Sequence, residues 1–281
     1  MRCLIAGCGY VGSALAARLA AQGHEAFGLR RRPEGLPPGV TPVAADLTER
    51  SGLAARLPDA LDAVVYAAAA DGRDEAAYRR AYVEGLANLL AALPGDGAAR
   101  VLFTSSTAVY GQDDGSAVDE SSPTEPTRWN GRILLEAESL LPGSGHPFSI
   151  LRLGGIYGPG RTHLVERVRA GEARLPAAPA YTNRIHRDDA AGALDHLLKL
   201  PAVDPVYVGV DDDPADLGTV LRWLAGRLGV AAPPAGSGEG RGQDRPTGKR
   251  CRNRRLRGSG YAFRHPTFRE GYAALLGPAE R

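Results

Sequence analysis

The chain has 281 residues, a net charge of +2 and 43% apolar residues. That length suits one large α/β domain, or a domain with a smaller lobe, and so small a net charge gives no ground for nucleic-acid binding. No apolar run approaches the ~20 residues that cross a membrane, no signal peptide is expected, and Cys3, Cys8 and Cys251, odd in number and without metal spacing, fit a cytoplasmic setting and no metal.

The pattern starts immediately. Cys3 to Ala6 form a short apolar run that predicts a buried strand. Gly7-x-Gly9-x-x-Gly12 follows, and Ser13 to Ala20 then predict a helix with Val11, Leu15 and Leu19 on one face. Strand, glycine turn and helix in this order read as a dinucleotide-binding turn. Gly7 permits the tight turn, Gly9 lets a pyrophosphate approach, and Gly12 lets helix and strand pack. The helix N-terminus then offers free N–H groups to phosphates. Cys8, inside the loop, reads as a small filler.

A second strand, His24 to Leu29, ends at Arg30-Arg31-Arg32. An acidic residue at this distance from the glycines takes the ribose 2′-OH of NAD. Arg30 stands in that place with Arg31 beside it, and a guanidinium fork suits a 2′-phosphate. NADP(H) is therefore expected in preference to NAD(H), against the plainer reading of a solvated basic turn.

A third strand, Thr41 to Ala45, ends at Asp46-Leu47, and residues 50–57 predict a helix. A fourth, Leu61 to Ala67, runs into Ala68-Ala69-Ala70, where small residues leave room for a cofactor. Residues 74–93 predict one long helix, its Tyr78, Tyr82, Leu86, Leu89 and Leu93 forming a core stripe. A fifth strand, Arg100 to Thr104, ends in Ser105-Ser106-Thr107. Such alternation predicts right-handed βαβ units: an α/β, Rossmann-type, doubly wound parallel sheet. The division expected is a dinucleotide-binding domain over 1–155 and a smaller C-terminal substrate lobe over 156–281, with some segments returning to the core.

Several motifs together resemble the extended short-chain dehydrogenase/reductases, in particular the NAD-dependent epimerase/dehydratase group. They are Gly7-x-Gly9-Tyr10-x-Gly12, Asp46-Leu47, Phe103-Thr104-Ser105-Ser106-Thr107-Ala108-Val109-Tyr110-Gly111, Arg152-Leu153-Gly154-Gly155-Ile156-Tyr157-Gly158-Pro159-Gly160, and Asn183-Arg184-Ile185-His186-Arg187-Asp188-Asp189. The tail, with Lys249 to Leu256 and Phe268 to Tyr272, is similar to the end of that family's substrate lobe. The resemblance implies a cofactor site at Gly7, Gly9, Tyr10, Val11, Gly12, Arg30, Arg31, Asp46, Leu47, Ala67, Ala68, Ala69 and Thr104. It also implies that Ser106 hydrogen-bonds the substrate oxygen, beside the plainer reading of a strand-end cap.

One departure stands out. The family carries Tyr-x-x-x-Lys on the helix after the fifth strand, as acid/base and its support. Here that helix reads Arg128-Trp129-Asn130-Gly131-Arg132-Ile133-Leu134-Leu135-Glu136-Ala137-Glu138. Aligning on Glu136 puts Arg128 and Arg132 in the two places, aligning on Trp129 puts Ile133 at the lysine, and aligning on Glu138 gives Asn130 and Leu134. The only lysines are Lys199 and Lys249, and neither follows a tyrosine by four. This resembles the atypical members of the family, which keep the fold and cofactor site but lose that pair. Indole only donates and guanidinium stays protonated, so neither supplies a general acid.

Tyr157 is the candidate substitute acid, its pKa lowered by Arg161, against a reading as core. The loop carrying them should border the nicotinamide end of the cleft. His186 and Arg250 join Arg161 as candidate substrate contacts, with a structural role as the alternative for His186. The second lobe should hold helices at His163 to Ala170, Asp188 to Leu200 and Asp216 to Leu228, a strand at Pro205 to Val210, and a loose loop over 231–248. Between Arg241 and Arg257 lie eight basic residues and one acid, Asp244. A substrate-phosphate clamp, a nucleic-acid patch without interleaved aromatics and a solvated face all remain open there.

The expectation is an NADP(H)-binding oxidoreductase or epimerase-like enzyme acting on a small polar substrate, nucleotide sugars being candidates. The alternative is a non-catalytic NADP(H)-binding redox sensor or regulator. Neither reading involves a membrane or nucleic acid, and both are compatible with a homodimer.

Overall fold

The computed structural model describes residues 1–95, 99–236 and 246–277. Its centre is a seven-stranded sheet. The strands are β1 (Arg2–Ala6), β2 (Glu25–Arg30), β3 (Val40–Ala44), β4 (Ala63–Tyr66), β5 (Arg100–Ser106), β6 (Phe148–Leu153) and β7 (Val206–Gly209). They lie in the order β7-β6-β5-β4-β1-β2-β3, with β1, β2, β3, β4 and β5 paired in parallel. Every residue of β4 and the last four of β1 are buried, as befits inner strands covered on both faces. β3 is an edge strand and carries Pro42, whose missing N–H costs nothing on an unpaired edge. Chain order reverses between β1 and β4, so their carboxyl ends form the topological switch point where open sheets bind ligands.

The helices are α1 (Tyr10–Ala21), α2 (Glu75–Tyr78), α3 (Gly85–Ala92), α4 (Trp129–Glu138), α5 (His163–Arg169), α6 (Arg187–Lys199), α7 (Leu217–Leu228), α8 (Arg254–Gly258) and α9 (Phe268–Leu276). Among the described residues none is long and apolar enough to cross a membrane. Residues 74–93 are not one regular helix: a π turn over Arg79–Glu84 separates α2 from α3. The buried Tyr66 hydroxyl donates to the Ala81 carbonyl inside that turn, which provides the local cause. The helix expected at 50–57 shrinks to a 3₁₀ turn at Ala54–Arg56, behind Gly52 at φ +75°.

Two compact units emerge. The first comprises residues 1–111, 123–152 and 190–207, and the second 112–122, 153–189 and 208–281. In the first, Asp195 of α6 is buried and accepts from Arg18 Nε at 2.6 Å and Gln22 Nε2 at 3.1 Å on and after α1, tying 190–207 to the sheet's helical layer. Burial opposes its charge, but those donors and Lys199 outweigh it and hold the carboxyl below its ordinary range. Residues 112–122, on the sheet side of the boundary expected at 155, fall in the second unit because Ala117–Val118 pairs with Arg250–Cys251.

The second unit is built on short parallel ladders: Gly155–Tyr157 with Arg184–His186, and Ala180–Tyr181 with Thr247–Gly248. Its apolar core gathers Tyr157, Val165, Val168, Leu221, Leu224, Phe268 and Tyr272. Asp216 caps α7 through Thr219 N, and a Thr267–Glu270 capping box starts α9. Of the loop expected over 231–248, residues 237–245 lie outside the described residues, as do 241–245 of the basic stretch.

Candidate cofactor and active site

The glycine turn sits at the switch point. Gly7 has φ +89°, and its N–H and that of Cys8 donate to the Leu29 carbonyl of β2 at 3.0 and 3.1 Å. A Cβ on Gly7 would lie 2.7 Å from the Ala67 carbonyl carbon, and one on Gly12 would lie 2.5 Å from the Gly7 oxygen. The protein's own packing therefore requires both glycines. Gly9 differs: a Cβ there meets only the Gly7 oxygen, at 3.9 Å. No side chain caps α1 at Gly9, and the positive end of the helix dipole lies at this turn. This open cradle at a helix N-terminus fits the pyrophosphate of a dinucleotide. Cys8 is fully buried, and burial raises its thiol pKa, so it fills space beneath the loop.

The other residues of this site lie on neighbouring strand ends. Tyr10 and Val11 open α1, and Ala67, Ala68 and Ala69 follow β4 with only Ala69 exposed. Thr104 Oγ1 donates to the Tyr66 carbonyl at 3.0 Å, linking β5 to β4. Leu47 is buried. Asp46 Oδ1 accepts from Thr48 N at 2.9 Å and Thr48 Oγ1 at 2.8 Å. Burial raises its pKa, but those bonds and the Arg31 charge prevail and lower it. Arg30 and Arg31 diverge. Arg30 Nε is buried without a hydrogen-bond partner among the described residues, whereas Arg31 is exposed and pairs with Asp71 at 3.1 Å.

Side chains alternate along β5. Ser105 turns inward and donates to Glu138 Oε1 at 2.6 Å, and Glu138 also holds Arg152 through Nε at 3.0 Å and Nη2 at 2.6 Å. Arg152 Nη1 reaches the Tyr110 hydroxyl at 2.9 Å, closing a buried network that fixes the end of β5. Ser106, half-buried, faces the other way. Its Oγ accepts from Ala108 N at 3.1 Å, which leaves its own proton to donate.

The candidates in the second unit are placed less simply. Tyr157 is buried in the core, with its ring 4.5 Å from that of Tyr272. Burial, then Asp211 and Tyr272, push its phenol well above the ordinary range, and the cation that opposes them is Arg184. The charge expected from Arg161 comes instead from Arg184, and it does not outweigh burial. Arg161 is exposed and its backbone N–H closes a turn on Gly158 O at 2.9 Å. Arg250 is fixed in place: Nε donates to Gly115 O at 2.7 Å and the guanidinium lies 5.2 Å over the Tyr181 ring. Arg257 pairs with Asp212, so part of the basic stretch is neutralised within the fold.

His186 is buried, and burial with the nearby His265 charge lowers its pKa to about 4. Its Nδ1 accepts from Asp188 N at 3.2 Å. His186, Asp189 and His265 bring potential ligand atoms within 4.8 Å of one another. However, Asp189 already accepts from Arg264 N at 2.6 Å, His265 N at 2.9 Å, His265 Nδ1 at 2.8 Å and Tyr261 Oη at 3.1 Å. A carboxylate so occupied makes this trio a hydrogen-bonded bracket at the start of α6 rather than a metal cage.

A profile of the NAD dependent epimerase/dehydratase family matches residues 3–201. The chain belongs to this family. Protein YeeZ of Escherichia coli K12 is 31% identical over 209 residues, 72% of this chain and 75% of its own. A 3-diazoavenalumate denitrifying reductase from a Streptomyces species is 30% identical over 254 residues, 83% of each chain. A solved Methylobacillus flagellatus structure, described as of the NAD-dependent epimerase/dehydratase kind, superposes with a TM-score of 0.83 at 39% identity, covering 98% of this chain and 97% of its own.

Within this epimerase/dehydratase chain, the segment that the sequence reading aligned with Tyr-x-x-x-Lys is the first turn of α4. Arg128 is the exposed N-cap, Arg132 Nη1 donates to Thr127 O at 2.9 Å, and Trp129 stands edge-on to Tyr78 at 4.9 Å between ring centres. A Cβ on Gly131 would lie 2.7 Å from Pro126 Cβ and would collide with the Ala108 carbonyl, so this turn is docked on the segment after Ser106. The sequence reading missed the Ser105–Glu138–Arg152–Tyr110 network and the Arg31–Asp71 pair. Neither has a local signal, because the partners lie 14 to 42 residues apart in the first and on loops after different strands in the second.

Proposed function

We propose that this chain is an NADP(H)-dependent oxidoreductase that reduces a small polar substrate in the cytoplasm. The observation that carries the reading is the contrast among the glycines: packing accounts for Gly7 and Gly12, while Gly9 leaves a cradle open to phosphate. Arg31, exposed at the end of β2, supports the 2′-phosphate preference. The Streptomyces relative, named as a reductase, supports reduction over epimerisation.

When bound, the nicotinamide supplies the hydride. The chain supplies position and charge. Ser106 Oγ can donate to a substrate oxygen while it accepts from Ala108 N. Arg128 and Arg132, in the places of the missing pair, stay protonated and release no proton. The fitting substrate is therefore an electrophile whose reduction draws its proton from water or from itself. Nucleotide sugars and diazo compounds are classes to include in a screen.

A second reading, a redox sensor or regulator, rests on the absence of a Tyr-x-x-x-Lys pair from the sequence. Calorimetry with NADPH and NADH, followed by loss of nicotinamide absorbance over carbonyl, sugar and diazo substrates, separates the two. Turnover establishes the enzyme. Tight binding without turnover, together with a partner whose affinity depends on the cofactor, establishes the sensor. Absence of cofactor binding overturns both.

A further inference from the structure

A cavity of about 330 Å³ opens at the carboxyl ends of β2 and β3, within the size range of ligand sites. Arg31 lines it from the turn after β2, Asp46 from the turn after β3, and Ser51 and Arg56 from the segment beyond. Arg30, which the spacing from the glycines favours, is not among its lining residues. We propose that this cavity takes a 2′-phosphorylated adenosine and that Arg56 is its second phosphate ligand, opposite Arg31. The inference rests on the dinucleotide reading above and deepens it.

The chemistry of the lining argues for that ligand. Arg56 lines the cavity, and its Nη1 donates to the Ala44 carbonyl at 3.0 Å, which fixes the plane of the guanidinium and engages one of its five donors. Two arginines lining one cavity suit a dianionic phosphate, which takes paired N–H donors. The lining also carries two acids, so it is no simple anion sink. Glu49 is exposed at the rim. Asp46 commits Oδ1 to Thr48 and keeps Oδ2 as an acceptor for a ring amine or sugar hydroxyl. A ligand joining a phosphate to hydrogen-bond donors satisfies both halves of the set, and a 2′-phosphorylated adenosine is such a ligand.

The test is calorimetry with two fragments, 2′,5′-ADP and 5′-AMP, on the parent, Arg56→Ala and Arg56→Lys. The parent should bind 2′,5′-ADP about tenfold or more tightly than 5′-AMP, the worth of one charge-assisted contact. Arg56→Ala should remove most of that advantage and leave 5′-AMP binding unchanged. Arg56→Lys should keep part of it, because the charge survives without the fork. An unaltered ratio in Arg56→Ala overturns the assignment of Arg56. Equal binding of both fragments by the parent overturns the phosphate site alone, whereas binding of neither overturns the dinucleotide reading with it. Since Arg56 is exposed, a matching urea unfolding curve shows that the variant is folded.

Discussion

The ring of Tyr157 lies against Gly271 of α9, so closely that a Cβ on Gly271 would come within 2.6 Å of Cζ. The hydroxyl has no hydrogen-bond partner among the described residues. A buried, unpaired hydroxyl costs about 1–3 kcal/mol. Tyr157→Phe should therefore leave urea stability unchanged or raise it by up to about 1 kcal/mol, and should not slow turnover. Gly271→Ala should lower stability by about 1–3 kcal/mol through overpacking. A rate loss of about 100-fold or more in Tyr157→Phe would restore the phenol as an acid.

Two of the motif glycines, Gly9 and Gly12, should separate fold from binding. Gly9→Val should stay folded, because its side chain enters open space, and should lose NADPH binding by calorimetry. Gly12→Ala must displace the Gly7 carbonyl and the Ile5 side chain, the latter 3.0 Å away. It should cost about 1–3 kcal/mol in urea unfolding before cofactor is added. Equal effects of the two substitutions on stability would mean that Gly9 serves packing alone.

These contrasts mark how far the sequence was legible. The sheet and its glycine turn could be read because apolar runs of four or five residues and fixed glycine spacing are local signals. The family resemblance extended the reading to Ser106 and to the missing acid/base pair. Local patterns could not show that Arg31 rather than Arg30 lines the cavity, since adjacent residues differ only in which way the strand end turns. Nor could they show that Tyr157 is roofed by a helix 114 residues later. The π turn at Arg79–Glu84 was equally hidden, because its cause is a tyrosine on another strand.

Asp71 should compete with a cofactor phosphate for Arg31. The Arg31–Asp71 pair is 62% and 60% exposed, so it contributes about 0–1 kcal/mol to the fold. Asp71→Asn should leave stability within about 0.5 kcal/mol of the parent. It should tighten NADPH binding several-fold in calorimetry and leave NADH binding unchanged, because only the 2′-phosphate engages the freed guanidinium. Weaker NADPH binding would place Asp71 among the ligands rather than the competitors.

Asp211 should set how stability changes toward alkaline pH. It is buried, Oδ1 accepts from Asp213 N at 3.2 Å, and Oδ2 has no partner among the described residues. Burial pushes its carboxyl from the ordinary 3.8 up to about 8, against the pull of Arg184. Between those values the folded state holds a proton that the unfolded state releases. This stabilisation is complete below about 4 and is lost as pH rises through about 8. His186 acts in the opposite sense, since its pKa falls from 6.5 to about 4 on folding. Its contribution is complete above 6.5 and is lost as pH drops toward 4, so the two oppose each other in that range. Above it Asp211 acts without that opposition, and stability should fall by at most about 1.4 kcal/mol per pH unit. Asp211→Asn keeps an acceptor for Asp213 N but does not titrate. Urea unfolding at a series of pH values should show the parent's fall flattened in Asp211→Asn, with the His186 decline on the acid side newly visible. Parallel curves for parent and variant above pH 6.5 would show that this carboxyl stays ionised in the folded protein.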